Sequence, residues 1–149
     1  MRIGLAAAAI IGLASIGAFY SLRAQSSPPR SVWDGVYTED QANRGRASYG
    51  RECAGCHGES LTGADEVPAL AGGVFLSNWD GLTVGDLFER IRVSMPADRP
   101  GKLNREQIAD ILSYLLAFNR FPPGKTELER QTEILKEIRF ESSKPDQTK

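Results

Sequence analysis

Cys53-Ala54-Gly55-Cys56-His57 is the stretch around which this chain is read. It is a C-x-x-C-H run. Two thiols three residues apart lie on one side of a helical turn. Both can then form thioether bonds to the two vinyl groups of a single haem, and the next residue, His57, offers an imidazole nitrogen to the iron. A bare C-x-x-C also serves as a redox dithiol, a disulfide or half of a zinc site. The zinc reading fails on ligand count, because the chain holds two Cys and one His. A thioredoxin-like dithiol needs a preceding strand in a βαβ pattern, whereas the residues before Cys53 read as helix. The neighbouring segments agree with covalent haem.

Upstream, Thr38-Glu39-Asp40-Gln41 is a capping-box pattern with acids in the first turn. It predicts a helix from about Glu39 to Glu52. Ala42, Gly45, Tyr49 and Cys53 share one face of it, so a second helix can cross closely over Gly45 and pack on Tyr49. Downstream, the polar loop 58–63 leads into Val67-Pro68-Ala69-Leu70. Pro68 lacks an N–H but keeps a carbonyl, and that carbonyl is expected to accept from the non-ligating N–H of His57. Leu70 and the apolar run Val74–Trp79 are candidates to line the pocket, with the Trp79 indole needing a partner if buried.

Thr83 is a predicted N-cap, followed by an apolar helical face of Val84, Leu87, Phe88 and Ile91 to about Val93. Met95-Pro96 ends that helix. Apart from Met1, Met95 is the only methionine, and it is the candidate sixth ligand of the iron. Asn104 caps a last long helix carrying Ile108, Ile111, Leu112, Leu115 and Leu116, which is expected to cross the Gly45/Tyr49 face. It should stop near Asn119, before Phe121-Pro122-Pro123-Gly124. No internal repeat and no convincing strand is legible.

The chain starts Met1-Arg2, continues with an apolar stretch from Ile3 to Leu22, and reaches Arg23-Ala24. Residues 1–24 therefore read as a signal peptide, or as an uncleaved N-terminal anchor, since residues 3–22 are long enough to span a bilayer. Residues 25–36 read as a linker, 37–122 as the haem domain, and 123–149 as a C-terminal extension. That extension is expected to carry a short, weakly packed helix and then a disordered tail. Taking Arg2 and Arg23 away with the leader lowers the basic count from 18 to 16, against 19 acids, a balance of −3. That balance argues against nucleic-acid binding. Between Glu89 and Lys102, Arg90, Arg92, Arg99 and Lys102 outnumber Glu89 and Asp98, so a positive docking patch near Met95 is expected.

Together these residues resemble the class I c-type cytochromes, over about Thr38 to Phe121. The resemblance implies an all-α fold, with three to four helices and loops wrapped around one covalently bound haem c. It implies helices crossing at Gly45, Tyr49 and Tyr114, and His57 and Met95 on opposite sides of the iron. The stretch from Asn78 to Asp98 is similar to small cytochromes associated with quinoprotein (pyrroloquinoline-quinone) dehydrogenases. The expected function is a periplasmic one-electron carrier rather than an enzyme, working between a dehydrogenase and a respiratory acceptor such as a terminal oxidase. Two alternatives stay open: a membrane-anchored electron-transfer subunit of a quinoprotein dehydrogenase complex, and a haem enzyme or sensor with an open sixth position. The lack of a second His weighs against the enzyme.

Overall fold

The computed structural model describes residues 30–146. The expected leader or anchor, residues 1–24, lies outside them, as do residues 25–29 and 147–149. Helix α1 runs Glu39–Glu52 and starts as its sequence demands. The Thr38 hydroxyl accepts from the Gln41 N–H at 3.2 Å, and Glu39 and Asp40 sit at the positive end of the helix dipole. The haem-motif turn follows as α2, Ala54–His57. Then come α3, Gly72–Trp79, and α4, Val84–Ser94. Helix α5 is Arg105–Phe118, and α6 is the short Thr132–Leu135. Thr83 and Asn104 both form reciprocal capping boxes, with Asp86 and Gln107. Among the described residues there are six α-helices, four of them longer than a single turn, in line with the expected three to four. The others, α2 and α6, are four-residue turns, and the chain is all-α in its main elements.

Helices α1 and α5 cross at the expected place. A Cβ on Gly45 would lie 1.8 Å from the Asp110 carbonyl oxygen and 3.0 Å from Tyr114 Cβ, so only glycine permits this approach. Tyr49 and Tyr114 meet one turn on, with ring centroids 5.3 Å apart and tilted by 53°. On the flank, the Arg44 guanidinium forks Asp110 through Nε–Oδ2 at 3.1 Å and Nη2–Oδ1 at 3.0 Å. Ile108, Ile111, Leu112, Leu115 and Leu116 of α5 are all buried.

The two ends of the described chain depart from expectation. Residues 30–36 are not a linker. Val32 and Val36 are buried, Ser31 caps a single 3₁₀ turn over Val32–Asp34, and β1 (Arg30–Ser31) pairs in parallel with β2 (Ile138–Arg139). The extension after Pro123 is not weakly attached either, for Leu128, Leu135, Ile138 and Phe140 are buried. Its backbone is claimed by earlier parts of the chain. The Gln41 amide donates to Leu128 O at 3.1 Å and accepts from Leu128 N at 2.6 Å. Gly81 N donates to Phe140 O, and Phe140 N to Leu82 O, both at 2.9 Å. Glu141 receives the Trp33 indole N–H on its carbonyl at 3.0 Å. The physical reason is an aromatic chain that neither end could bury alone. Trp33 packs edge-on against Phe121 at 4.9 Å, Phe121 against Phe140 at 5.4 Å, and Phe140 against Phe75 of α3 at 5.9 Å. The two-residue ladder follows from that closure; its short strands carry no periodic signal of their own.

Candidate haem site

Helix α1 delivers the cysteines. Its last turn closes with the Cys53 N–H donating to Tyr49 O at 2.8 Å, and the His57 N–H then donates to Cys53 O at 3.0 Å. This puts Cys53, Cys56 and His57 on one compact turn. Neither cysteine is in a disulfide; Cys53 is half-buried and Cys56 exposed. Burial, with the nearby Glu52 and Cys56 charges, pushes the Cys53 thiol up to about 11, so it is protonated at neutral pH. Burial also raises the Tyr49 phenol, helped by Cys53 and Tyr114. That neutral hydroxyl donates to Gly58 O at 2.7 Å, pinning the exit of the turn to α1.

A tight loop then returns the chain to His57. The Gly63 N–H donates to His57 O at 3.0 Å, Ala64 and Val67 bond each other at 2.8 and 3.1 Å, and the Leu70 N–H donates to Leu61 O at 2.8 Å. The loop is drawn so close that a Cβ on Gly63 (φ +67°) would sit 2.2 Å from Val67 O, and buried Leu61 adopts φ 60°, a conformation that costs a non-glycine residue about 1–2 kcal/mol. The result is that His57 Nδ1 lies 2.9 Å from Pro68 O. A carbonyl only accepts, so Nδ1 carries the proton and the lone pair is on Nε2. His57 is 8% exposed. No buried side-chain nitrogen or oxygen among the described residues is left without a partner. Nε2 is therefore not a sealed, orphaned atom. This donor set fits haem c: two thiols on one turn, then an oriented imidazole with its acceptor nitrogen free.

The other candidates arrive from separate elements. Met95 is the residue after α4, its N–H donating to Ile91 O at 2.9 Å. Met95, Leu70 and Trp79 are half-buried and pack against the main core alongside Cys53. The stretch Val74–Trp79 is helical. It presents Phe75 to the core and leaves Val74 71% exposed.

The expected positive patch does not form as a set. Arg92 pairs with Glu89 at 2.6 Å, Arg99 with Asp98 at 2.9 Å, and Lys102 with Glu52 at 2.7 Å. Of the four bases, Arg90 alone makes no ion pair among the described residues. Glu52 was absent from the sequence count because it lies on α1, fifty residues from Lys102. The sequence reading also missed Asn119, whose side-chain amide reaches Leu70 O and the Gly72 N–H at 3.1 and 3.0 Å. A single Asn after a helix has no periodic or spacing signal that marks such a contact.

Residues 40–115 match the family described as Cytochrome C oxidase, cbb3-type, subunit III. A curated relative is the cbb3-type cytochrome c oxidase subunit CcoP of Azospirillum brasilense, 34% identical over 92 residues. The match covers 51% of this chain and 30% of that protein, so the chain spans under a third of the relative it matches. The crystal structure of the sulfane dehydrogenase SoxCD from Paracoccus pantotrophus is similar over 72% of this chain and 61% of that one, with 22% identity and a TM-score of 0.47. The Cys53–His57 turn, the Pro68 loop, Met95 and the α1/α5 crossing all fall inside the family match. The chain belongs to the c-type cytochrome family described as Cytochrome C oxidase, cbb3-type, subunit III, whose cofactor is haem c and whose chemistry is electron transfer.

Proposed function

We propose that this protein is an exported mono-haem cytochrome that passes single electrons between respiratory oxidoreductases. The observation that carries the reading is the 2.9 Å hydrogen bond from His57 Nδ1 to Pro68 O, directly behind the two-cysteine turn. Cys53 and Cys56 would hold haem c by thioether bonds, and His57 Nε2 and Met95 would bind its iron. When bound, haem c supplies an iron that takes up and releases one electron. The chain's own residues do the rest. Pro68 fixes the ring and tautomer of His57. Leu70, Trp79 and Phe75 bring apolar surface that keeps water away, and neutral nitrogen and thioether donors in such surroundings favour the reduced state. The chain has one His, and the site uses it, which leaves no imidazole for proton transfer. The apolar run 3–22 supports export, and covalent haem is attached after export in bacteria. Likeness to CcoP supports a terminal oxidase on the acceptor side, and the likeness of Asn78–Asp98 to dehydrogenase-associated cytochromes supports a quinoprotein dehydrogenase as donor.

The test is the optical spectrum of protein made with haem c maturation machinery. A pyridine haemochrome of the two-thioether type and a weak red ferric band are expected, with the red band lost in Met95→Ala. A band that survives in Met95→Ala refutes the Met95 ligand. Fast carbon monoxide binding by the reduced wild type at neutral pH favours an open-site haem protein instead. Failure to attach any haem covalently removes the central assignment.

A further inference from the structure

We infer that Asn119 is a positioning residue for His57. The inference rests on His57 being an axial ligand. Asn119 is the first residue after α5, and its amide makes three hydrogen bonds. Nδ2 donates to Leu115 O at 2.8 Å and to Leu70 O at 3.1 Å, and Oδ1 accepts from the Gly72 N–H at 3.0 Å. The orientation of the amide is settled by its partners, because two carbonyls can face only the NH₂ and an N–H only the oxygen. The bond to Leu115 ties the side chain to its own helix. The other two grip the segment whose Pro68 carbonyl orients His57.

The grip closes a mechanical circuit. Helix α1 leads directly into the turn that holds the two cysteines and is locked against α5 at Gly45 and Asp110. Asn119 directly follows α5. Asn119 holds Leu70 and Gly72, and Leu70 N is bonded back to Leu61 O. Pro68, two residues before Leu70, thus has its height over His57 set from both sides, by the loop on one and by α5 on the other. Without Asn119, the Leu70–Gly72 strip has no other side-chain hydrogen bond to α5 among the described residues, although Leu70 still packs on the core. Pro68 itself is exposed; its backbone lies against Gly63 of the loop, and the Asn119 hydrogen bonds act on the strip that follows it. A hydrogen bond whose acceptor drifts weakens steeply with distance and angle, and a weaker bond to Nδ1 makes the imidazole a poorer donor through Nε2.

The experiment compares wild type, Asn119→Leu and Gln41→Leu in the full chain. Asn119→Leu keeps the volume and removes all three hydrogen bonds. Gln41→Leu removes the two buried hydrogen bonds to Leu128, far from the Pro68 strip in sequence and contacts, and sets the size of a purely structural loss. Three quantities are read: thermal midpoint, midpoint potential, and exchange of the His57 Nδ1–H and the Gly72 N–H by NMR. The expected result is a similar loss of thermal midpoint in both variants. Asn119→Leu alone should show exchange of both protons faster by about tenfold or more, with a raised potential. Asn119→Ala, which loses the same bonds without the apolar bulk, should give the same pattern if Asn119→Leu does not fold. Unchanged exchange and potential in the Asn119 variants, or an equal change in Gln41→Leu, overturn the inference. If wild type holds no haem, the haem assignment fails by itself. The exchange comparison in the haem-free chain then still decides whether Asn119 holds the His57–Pro68 bond.

Discussion

Replacing Gly45 by alanine should destabilise this protein even though alanine is the better helix former. The added Cβ would lie 1.8 Å from the Asp110 carbonyl oxygen, a backbone atom that cannot rotate away. Ordinary contact begins near 3.4 Å, so α1 and α5 would have to part by roughly 1.5 Å. The separation would stretch the Tyr49–Tyr114 contact at 5.3 Å and the Arg44–Asp110 fork. Overpacking of this kind costs about 1–3 kcal/mol, and loss of an aromatic pair adds about 1 kcal/mol. Against this stands a gain of about 1 kcal/mol in helix propensity. The net loss is about 1–3 kcal/mol, or about 5–15 °C in thermal midpoint for a domain of this size. Gly50 is the internal control. It lies on the exposed face of the same helix, and an added Cβ there meets nothing within 4 Å. Gly50→Ala should therefore stabilise by about 0.5–1 kcal/mol. Thermal and urea melts followed by far-ultraviolet circular dichroism compare the two. A Gly45→Ala protein as stable as wild type, or stabilised like Gly50→Ala, would refute the close crossing.

Other consequences concern the ends of the chain and its charges. Leu135 is fully buried although it belongs to the C-terminal extension. Leu135→Ala should cost about 2–4 kcal/mol, measured by urea melts, and a loss below about 0.5 kcal/mol would mean the extension is only loosely held. The Glu89 carboxyl accepts from Arg92 and Thr132, which hold it down at about 2. A depressed carboxylate contributes stability that is present above its unfolded pKa and lost as pH falls through its folded one. The stability advantage of wild type over Glu89→Gln should be about 1 kcal/mol at pH 7 and vanish between about pH 4.5 and 2. An advantage that stays constant over that window would show that the charge on Glu89 contributes nothing.

The haem motif, the caps of α1, α4 and α5 and the α1/α5 crossing were legible because each is written locally. The Thr38, Thr83 and Asn104 caps are short-range patterns read within four residues. The crossing was legible because a glycine and an aromatic four residues apart on one helix face announce a close approach. The ends were misread for the opposite reason. Ser31–Val36 and Leu128–Phe140 are short, charge-interrupted segments with no clear period, and they bury their apolar residues against each other and against distant helices, α4 among them. Their loop-like composition described them correctly in isolation.

The charge reading failed in the same way. Counting bases near Met95 could not include Glu52, which reaches Lys102 only once α1 and the loop after α4 are in place. The sequence by itself determined the cofactor class, the helix starts and the pair of helices that must cross, since these depend on residue type and spacing along a few turns. Only the tertiary structure decided that both ends of the described chain close one aromatic cluster, that Lys102 is paired with Glu52, and that Asn119 reaches the Pro68 strip. Those contacts join residues tens of positions apart, and which distant partners meet is set by how the helices pack rather than by any local pattern.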